Sequence, residues 1–571
     1  MSLHSRVLDL CALLALVTDC SQQPRTPAPA TDTAPPADHA AAAPAAPAPR
    51  TTLLGNLGSY HRPIKTSNAQ AQQFFDEGLT LLYGFNHEES FRSFERAAAL
   101  DPATPMPHWG MSLALGTNIN DVAPAERLKQ GFEHLAQAEK RKANGSDVEQ
   151  GLVAALAKRY VADPSGDQML REQAYSAAMG DLAKRFPDDL DVATLYAESL
   201  MNLRPWRLYD HDGTPQPGTE TIVATLESVI KRNPQHPGAN HYYIHAVEAS
   251  KNPGRATVSA GRLETLVPGA GHLVHMPAHI YIRTGQYAQS AKSNALAAAV
   301  DEQYFKATGS SGMYAAMYYS HNLQFESAAA MFAGNLAEAR SAARRTVELA
   351  DPIADQMAMI EPFVAQELVV LVRFGQWDDV LALAAKAPAP TRTVQTALYH
   401  FARGAALSGK GKADEAALEL QTLRQAAARI AKETMLGPAN AGADVVAVAI
   451  ADLTARVAEA RGDVPGAIAG FTAAVATEDR LGYNEPPDWL MPEREQLGRL
   501  LLKAGRAADA ETVFAADLAR NVGNPRSLFG MWRSLVAQKK TAAATQARAR
   551  FDEAWQSADV TLGDDMGTTG R

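Results

Sequence analysis

Seven of the chain's 15 histidines fall between His236 and His321. The run Asn240-His241-Tyr242-Tyr243-Ile244-His245-Ala246-Val247-Glu248 carries imidazoles at i and i+4, with a carboxylate at i+7. At about 100° per residue of helix, His241, His245 and Glu248 share a face roughly 60° wide. A second run, Gly271-His272-Leu273-Val274-His275-Met276-Pro277-Ala278-His279, places three more histidines on one face if its helix is continuous. Imidazole nitrogens with a carboxylate one turn away suit a divalent ion, zinc or non-haem iron first. Copper is the weaker expectation, because no cysteine lies near and Met276 is the one soft ligand at hand. Three nitrogen ligands and an open position would activate water, with Glu248 as general base. Direct ligation by Glu248 would instead give a two-histidine, one-carboxylate face, and the sequence leaves both arrangements open.

The elements that must hold these side chains repeat. His275 follows His241 by 34 residues, and His279 follows His245 by the same interval. In 71–104, Gly78, Leu81, Phe85, Ser90, Phe94, Ala97 and Pro102 fall at positions 8, 11, 15, 20, 24, 27 and 32. The same register recurs from 237, 271, 320, 397, 448 and 491, and more loosely from 105, 361 and 523. Small residues let two helices approach, large ones fill the seam, and proline ends the second helix. This pattern resembles the tetratricopeptide repeat, and the likeness covers most of 71–556.

That resemblance implies an all-α, tetratricopeptide-like α-solenoid of antiparallel helix hairpins. It implies that positions 2, 5, 9 and 12 of each first helix line a concave groove. His241, His245, Glu248, His272, His275 and His279 would then face the groove. His321 would join them from position 2 of the repeat at Ser320, behind a spacer of about fifteen residues. Tyr242, Tyr243 and Asn322 would support the ligands from behind. Trp109 would sit at a groove position, free to stack on a ligand or to pack between helices. The resemblance also implies a protein or peptide partner in the groove. The histidine runs are similar to those of uncharacterised exported bacterial tetratricopeptide proteins, a likeness that brings no activity with it.

Two local features complicate this. Pro277 should kink or restart its helix, which leaves the angles of His272 and His275 uncertain. Arg204-Pro205-Trp206 and 210–218 form a turn-rich insertion, expected as solvated chain rather than as a lid.

Composition sets the remaining bounds. The chain has 571 residues, 7% aromatic residues, a net charge of -9 and 2 cysteines. Both cysteines lie in the first twenty residues, which excludes a disulfide scaffold or thiol chemistry in the body. Mild acidity argues against a nucleic-acid partner. Residues 1–20 read as an export signal with Cys20 as a candidate lipidation site, and hence as periplasmic or membrane-anchored placement. Any membrane contact would run through that lipid alone. An Ala/Pro-rich disordered linker follows over 21–60, then an array over 61–320 carrying the histidine-rich groove, a second array over 321–556, and a tail over 557–571. The expected function is metal binding or handling, or an adaptor role. A metal-dependent hydrolase or oxidase, and a metal-free peptide scaffold, are the alternatives.

Overall fold

The computed structural model describes residues 52–312 and 314–570. The proposed leader, with Cys20, lies outside them. Among the described residues no helix is long and apolar enough to cross a membrane.

The chain is an all-α array of antiparallel hairpins, a tetratricopeptide-like α-solenoid. Its first hairpin pairs Ala69–Tyr83 with His87–Leu100, and its last pairs Pro525–Ala537 with Thr541–Ala554. The repeat's small and large positions have a direct steric cause. A Cβ on Gly78 or Gly110 would come within 2.7 Å of the Phe94 ring, so that ring sits sandwiched between successive hairpins. Phe514 lies in the same way between Gly498 and Gly530, where a Cβ would approach to 2.5 and 2.1 Å. Interiors this close-packed tolerate no extra carbon without a backbone shift.

Four hairpins bear on the histidines. Leu190–Met201 pairs with Thr219–Arg232, and Pro237–Val247 with Thr257–Leu266. The split helix Gly271–His275 and Pro277–Arg283 pairs with Tyr287–Thr308, and Ser320–Ala333 with Leu336–Ala350. Pro237 starts its helix at a position that needs no N–H, and His236 caps it by accepting from the Ala239 N–H at 3.1 Å. Pro277 does restart its helix, but Met276 keeps helical angles (φ -53°, ψ -34°). His272, His275 and His279 therefore stay on one face. Residues 315–319 wind as one π-helical turn before Ser320, which sets the rotation at which His321 enters the site.

The array curls back on itself. The first hairpin meets the end of Tyr287–Thr308 through Tyr304 Oη donating to Glu89 Oε2 (3.0 Å) and Arg92 donating to Ser310 Oγ (3.1 Å). Tyr287 Oη donates to the Val522 carbonyl at 3.0 Å, and a Cβ on Gly285 would reach that carbonyl oxygen at 2.5 Å. Part of the expected linker is also ordered. Tyr60 Oη and Arg62 reach Asp191 at 2.5 and 2.8 Å, and the Leu54 N–H reaches Glu77 at 2.6 Å. The expected tail ends in an antiparallel ribbon, Val560–Leu562 against Thr568–Gly570.

Candidate metal centre

The six histidines and Glu248 come together, but not on an open groove. Among them His241, His245, His272, His275, His279 and Glu248 are 0–6% exposed, and only His321 is half-buried. The expected groove exposure is corrected here, and the cause is the curl of the array. Phe85, in the turn of the first hairpin (φ +55°), lies against His241, His245 and His272. Tyr318 closes over His272, and Phe325 over His275, His279 and His321.

The insertion also takes part, contrary to the expectation of solvated chain. Trp206 (φ +59°) meets the His245 ring edge-on at 5.6 Å and donates its indole N–H to Asn120 Oδ1 at 3.1 Å. From the far repeats, Tyr483 Oη lies 3.4 Å from Glu248 Oε2 and donates to Glu485 Oε1 at 2.5 Å. Trp206, Tyr483, His245 and Glu248 border a cavity of about 20 Å³. That is room for a water-sized ligand and far too little for a peptide.

Ring orientation is the chemically informative feature. His241 Nδ1 faces the Tyr83 carbonyl at 2.6 Å, and His275 Nδ1 faces Asn294 Oδ1 at 2.6 Å. Asn294 is oriented by its own NH₂, which donates to the Ser290 carbonyl at 2.9 Å. His245 Nδ1 faces Glu248 Oε1 at 2.8 Å, and His279 Nδ1 faces Glu248 Oε2 at 2.5 Å. Each partner is an acceptor, so each Nδ1 carries its proton and donates. The four Nε2 atoms are then turned inward, as lone pairs wherever the ring is neutral, which is how metal-ligating imidazoles are held. His245 Nε2 is buried with no hydrogen-bond partner among the described residues, and so is His272 Nδ1. His241 Nε2 and His272 Nε2 approach to 3.2 Å, and His275 Nε2 and His279 Nε2 to 2.7 Å.

Electrostatics follow from burial. It holds His241, His272 and His275 well below the ordinary imidazole range, aided by neighbouring histidines. His321 is pushed down to about 3, again mainly by burial. His245 is lowered too, although Glu248 partly opposes this. His279 is the exception: burial lowers it, but the charge and hydrogen bond of Glu248 outweigh burial and raise it. Glu248 is correspondingly held down, since His279 and His245 outweigh its own burial. Glu485 is pushed up to about 7 by burial.

One nitrogen each from His241, His245 and His272 lies within 4.8 Å of the others, and likewise for His275, His279 and His321. His245, Glu248 and His279 form a third such group. The remaining expected residues divide. Tyr242 packs on Phe85 and on the His241 ring at 5.2 Å. Asn322 donates to Asp301 Oδ2 at 2.8 Å, and Asp301 accepts from Tyr314 Oη, which itself accepts the His272 N–H. Tyr243 turns away from the site and donates to Glu227 Oε1 at 2.6 Å. Trp109 is 1% exposed in the core and offers no stacking face.

Sequence reasoning missed Phe85 and Phe325 as covers, the Tyr83 carbonyl, and Tyr483 with Glu485. Asn294 was visible at a repeat position, but nothing in its spacing marked it as an imidazole acceptor.

Fold and site together define a tetratricopeptide-like solenoid with a buried polyhistidine centre. No protein-family model matches the chain, and no curated protein does. Among solved structures it is similar to yeast Tom70, at 11% identity over 83% of this chain and 96% of that one, with a TM-score of 0.32. It is also similar to a human IFIT1 dimer with m7Gppp-AAAA, at 11% identity over 86% and 90%, with a TM-score of 0.31. A third is the APC/C hetero-tetramer Cut9-Hcn1, at 12% identity over 86% and 80%, with a TM-score of 0.29. Likenesses at this level carry nothing about ligand or partner.

Proposed function

We propose that this chain is a metal-binding protein whose solenoid encloses a divalent first-row transition ion among neutral imidazoles. The observation that supports this most is the outward anchoring of four Nδ1 atoms, which leaves four Nε2 atoms converging in a buried space. Buried polar atoms are ordinarily hydrogen-bonded, and converging lone pairs are repulsive without a cation between them. Neutral imidazole favours zinc, iron or copper over magnesium or calcium. Glu248 engages an imidazole N–H with each oxygen, which favours a role as orienting carboxylate over that of ligand or free base. The enclosed geometry speaks for holding or handling the ion rather than for clasping a peptide there. The leader's composition supports action outside the cytoplasm.

The test is metal analysis of protein purified without a histidine tag, then after chelation and reloading with zinc, iron or copper. Stoichiometric metal is expected, and a lower content in the His241→Ala/His245→Ala double variant. No stoichiometric uptake of any of the three would end this reading.

A metal-dependent enzyme is a second reading, favoured by the water-sized cavity that His245 shares with Tyr483. Tyr483→Phe would then keep its metal while losing hydrolytic or oxidative turnover.

A further inference from the structure

We infer that the centre holds two ions, one in each histidine triad. This deepens the metal-binding reading and rests on it. The first triad is His241, His245 and His272, and the second is His275, His279 and His321. Both follow one rule of the repeat: positions 5 and 9 of one hairpin join position 2 of the next. The first takes repeats 237–270 and 271–304, and the second takes 271–304 and 320–353. The rule produces no third triad next to these, because position 2 of the repeat at 237 is Gly238, and positions 5 and 9 of the repeat at 320 are Gln324 and Ala328.

The two triads have nearly the same shape. In the first, the His241 ring lies 4.9 Å from both His245 and His272, which are 6.3 Å apart. In the second, the His275 ring lies 4.7 Å from His279 and 4.9 Å from His321, which are 6.2 Å apart. The triads abut, with 5.5 Å between the rings of His245 and His279 and 5.5 Å between those of His272 and His275.

Their supports also correspond. The position-5 Nδ1 meets a neutral oxygen in each case, the Tyr83 carbonyl or Asn294 Oδ1. The position-9 Nδ1 meets Glu248 in each case, one oxygen per triad. A single phenylalanine touches all three rings of each triad, Phe85 in the first and Phe325 in the second. Repeat duplication alone accounts for recurring histidines. It does not account for matching supports, because Tyr83 and Asn294, like Phe85 and Phe325, occupy unrelated positions in their repeats. Selection for two like sites does.

Nitrogens around a tetrahedral ion bonded at about 2.1 Å lie roughly 3.4 Å apart. His241 and His272 already stand at 3.2 Å, while His275 and His279, at 2.7 Å, must open slightly. Each triad then supplies three neutral nitrogens and leaves a position for a small exogenous ligand.

The test is titration of the chelated, tag-free full chain with cobalt(II) and with zinc, counting bound equivalents. Two are expected in the parent chain. One is expected in His272→Ala, which spares the second triad, and one in His321→Ala, which spares the first. Circular dichroism and melting check that each variant folds; His321 is the least buried of the six, so that variant stands on its own if His272→Ala fails to fold. A single equivalent in the parent, or loss of all metal in a folded single variant, overturns the two-ion assignment and leaves metal binding intact. No binding in the parent overturns the underlying reading instead.

Discussion

His275 Nε2 and His279 Nε2 lie 2.7 Å apart, and the Nδ1 of each ring is already donating, to Asn294 and to Glu248. A contact this short requires a cation on the line between them, and a proton on His279 meets that need because Glu248 raises its pKa. A metal ion entering this triad must displace that proton. Metal uptake near pH 7 is therefore expected to release protons. Calorimetry in buffers of different ionisation enthalpy would measure this, and a buffer-independent binding enthalpy would contradict it.

Glu248→Gln tests the orienting role. An amide presents one acceptor and one donor, so it cannot accept from both His245 Nδ1 and His279 Nδ1. Metal affinity is expected to fall about 10–100-fold with the fold retained. Unchanged affinity with lost turnover would instead return Glu248 to the part of general base.

Acid should weaken the metal-free histidine centre. His241, His245, His272, His275 and His321 have lowered values in the folded state, so below about 6.5 the unfolded chain binds protons that the folded chain refuses. Their stability is complete above pH 6.5 and is lost as pH falls, by at most about 1.4 kcal/mol per pH unit for each group. His279 acts oppositely: its contribution is present at low pH and is lost as pH rises through its raised value. Buried carboxylates pushed up to about 7, among them Glu198, Asp301, Glu478 and Glu485, act with His279 and offset much of this in the whole protein. The imidazole share is read by difference: relative to a His321→Gln variant, the chelated parent should lose melting temperature from pH 7 to pH 5, and a pH-independent difference would refute this.

Arg62 and Asp191 anchor the segment before the first helix. Asp191 accepts from Arg62 at 2.8 Å, from Tyr60 at 2.5 Å and from Tyr83 at 2.6 Å. Burial alone would raise its pKa, but Arg62 and His236 outweigh burial and hold it down. Asp191→Ala leaves the buried guanidinium paired with Asp189 alone and takes the acceptor from the buried Tyr83 hydroxyl, so a loss of about 1–3 kcal/mol in denaturant unfolding is expected. Because Tyr83 also presents its carbonyl to His241, metal affinity should fall in the same variant.

Trp206→Ala should unlatch the cavity mouth. The indole covers His245 and ties the insertion to Asn120. Stopped-flow chelation should remove metal several-fold faster, while equilibrium stability changes by about 1 kcal/mol or less. Equal rates would mean that ions leave by another route.

The hairpins, their 34-residue register and the convergence of His241, His245, His275 and His279 were legible because they are local or periodic. Helical geometry sets the face, and the repeat sets the translation between faces. Pro277 was legible as a break, but not as a break its neighbours bridge without turning the face. The burial of the site was not legible, because it depends on which distant residues the curl delivers. Tyr483 is 235 residues from Glu248. The Tyr83 carbonyl is a backbone atom and leaves no trace in residue type. Tyr243 sits beside two site residues, yet its ring turns to Glu227 of the preceding hairpin, a direction that sequence adjacency does not encode.

The closure of the array near Gly285 and Val522 bears on how the chain comes apart. In a simple solenoid each repeat touches only its neighbours, so ends fray and the middle persists. Here Tyr287 is tied to Val522, Tyr304 to Glu89 and Tyr483 to Glu248, which couples units far apart in order. Melting of these repeats should be one concerted event, so truncation at either end would cost far more than the repeats removed.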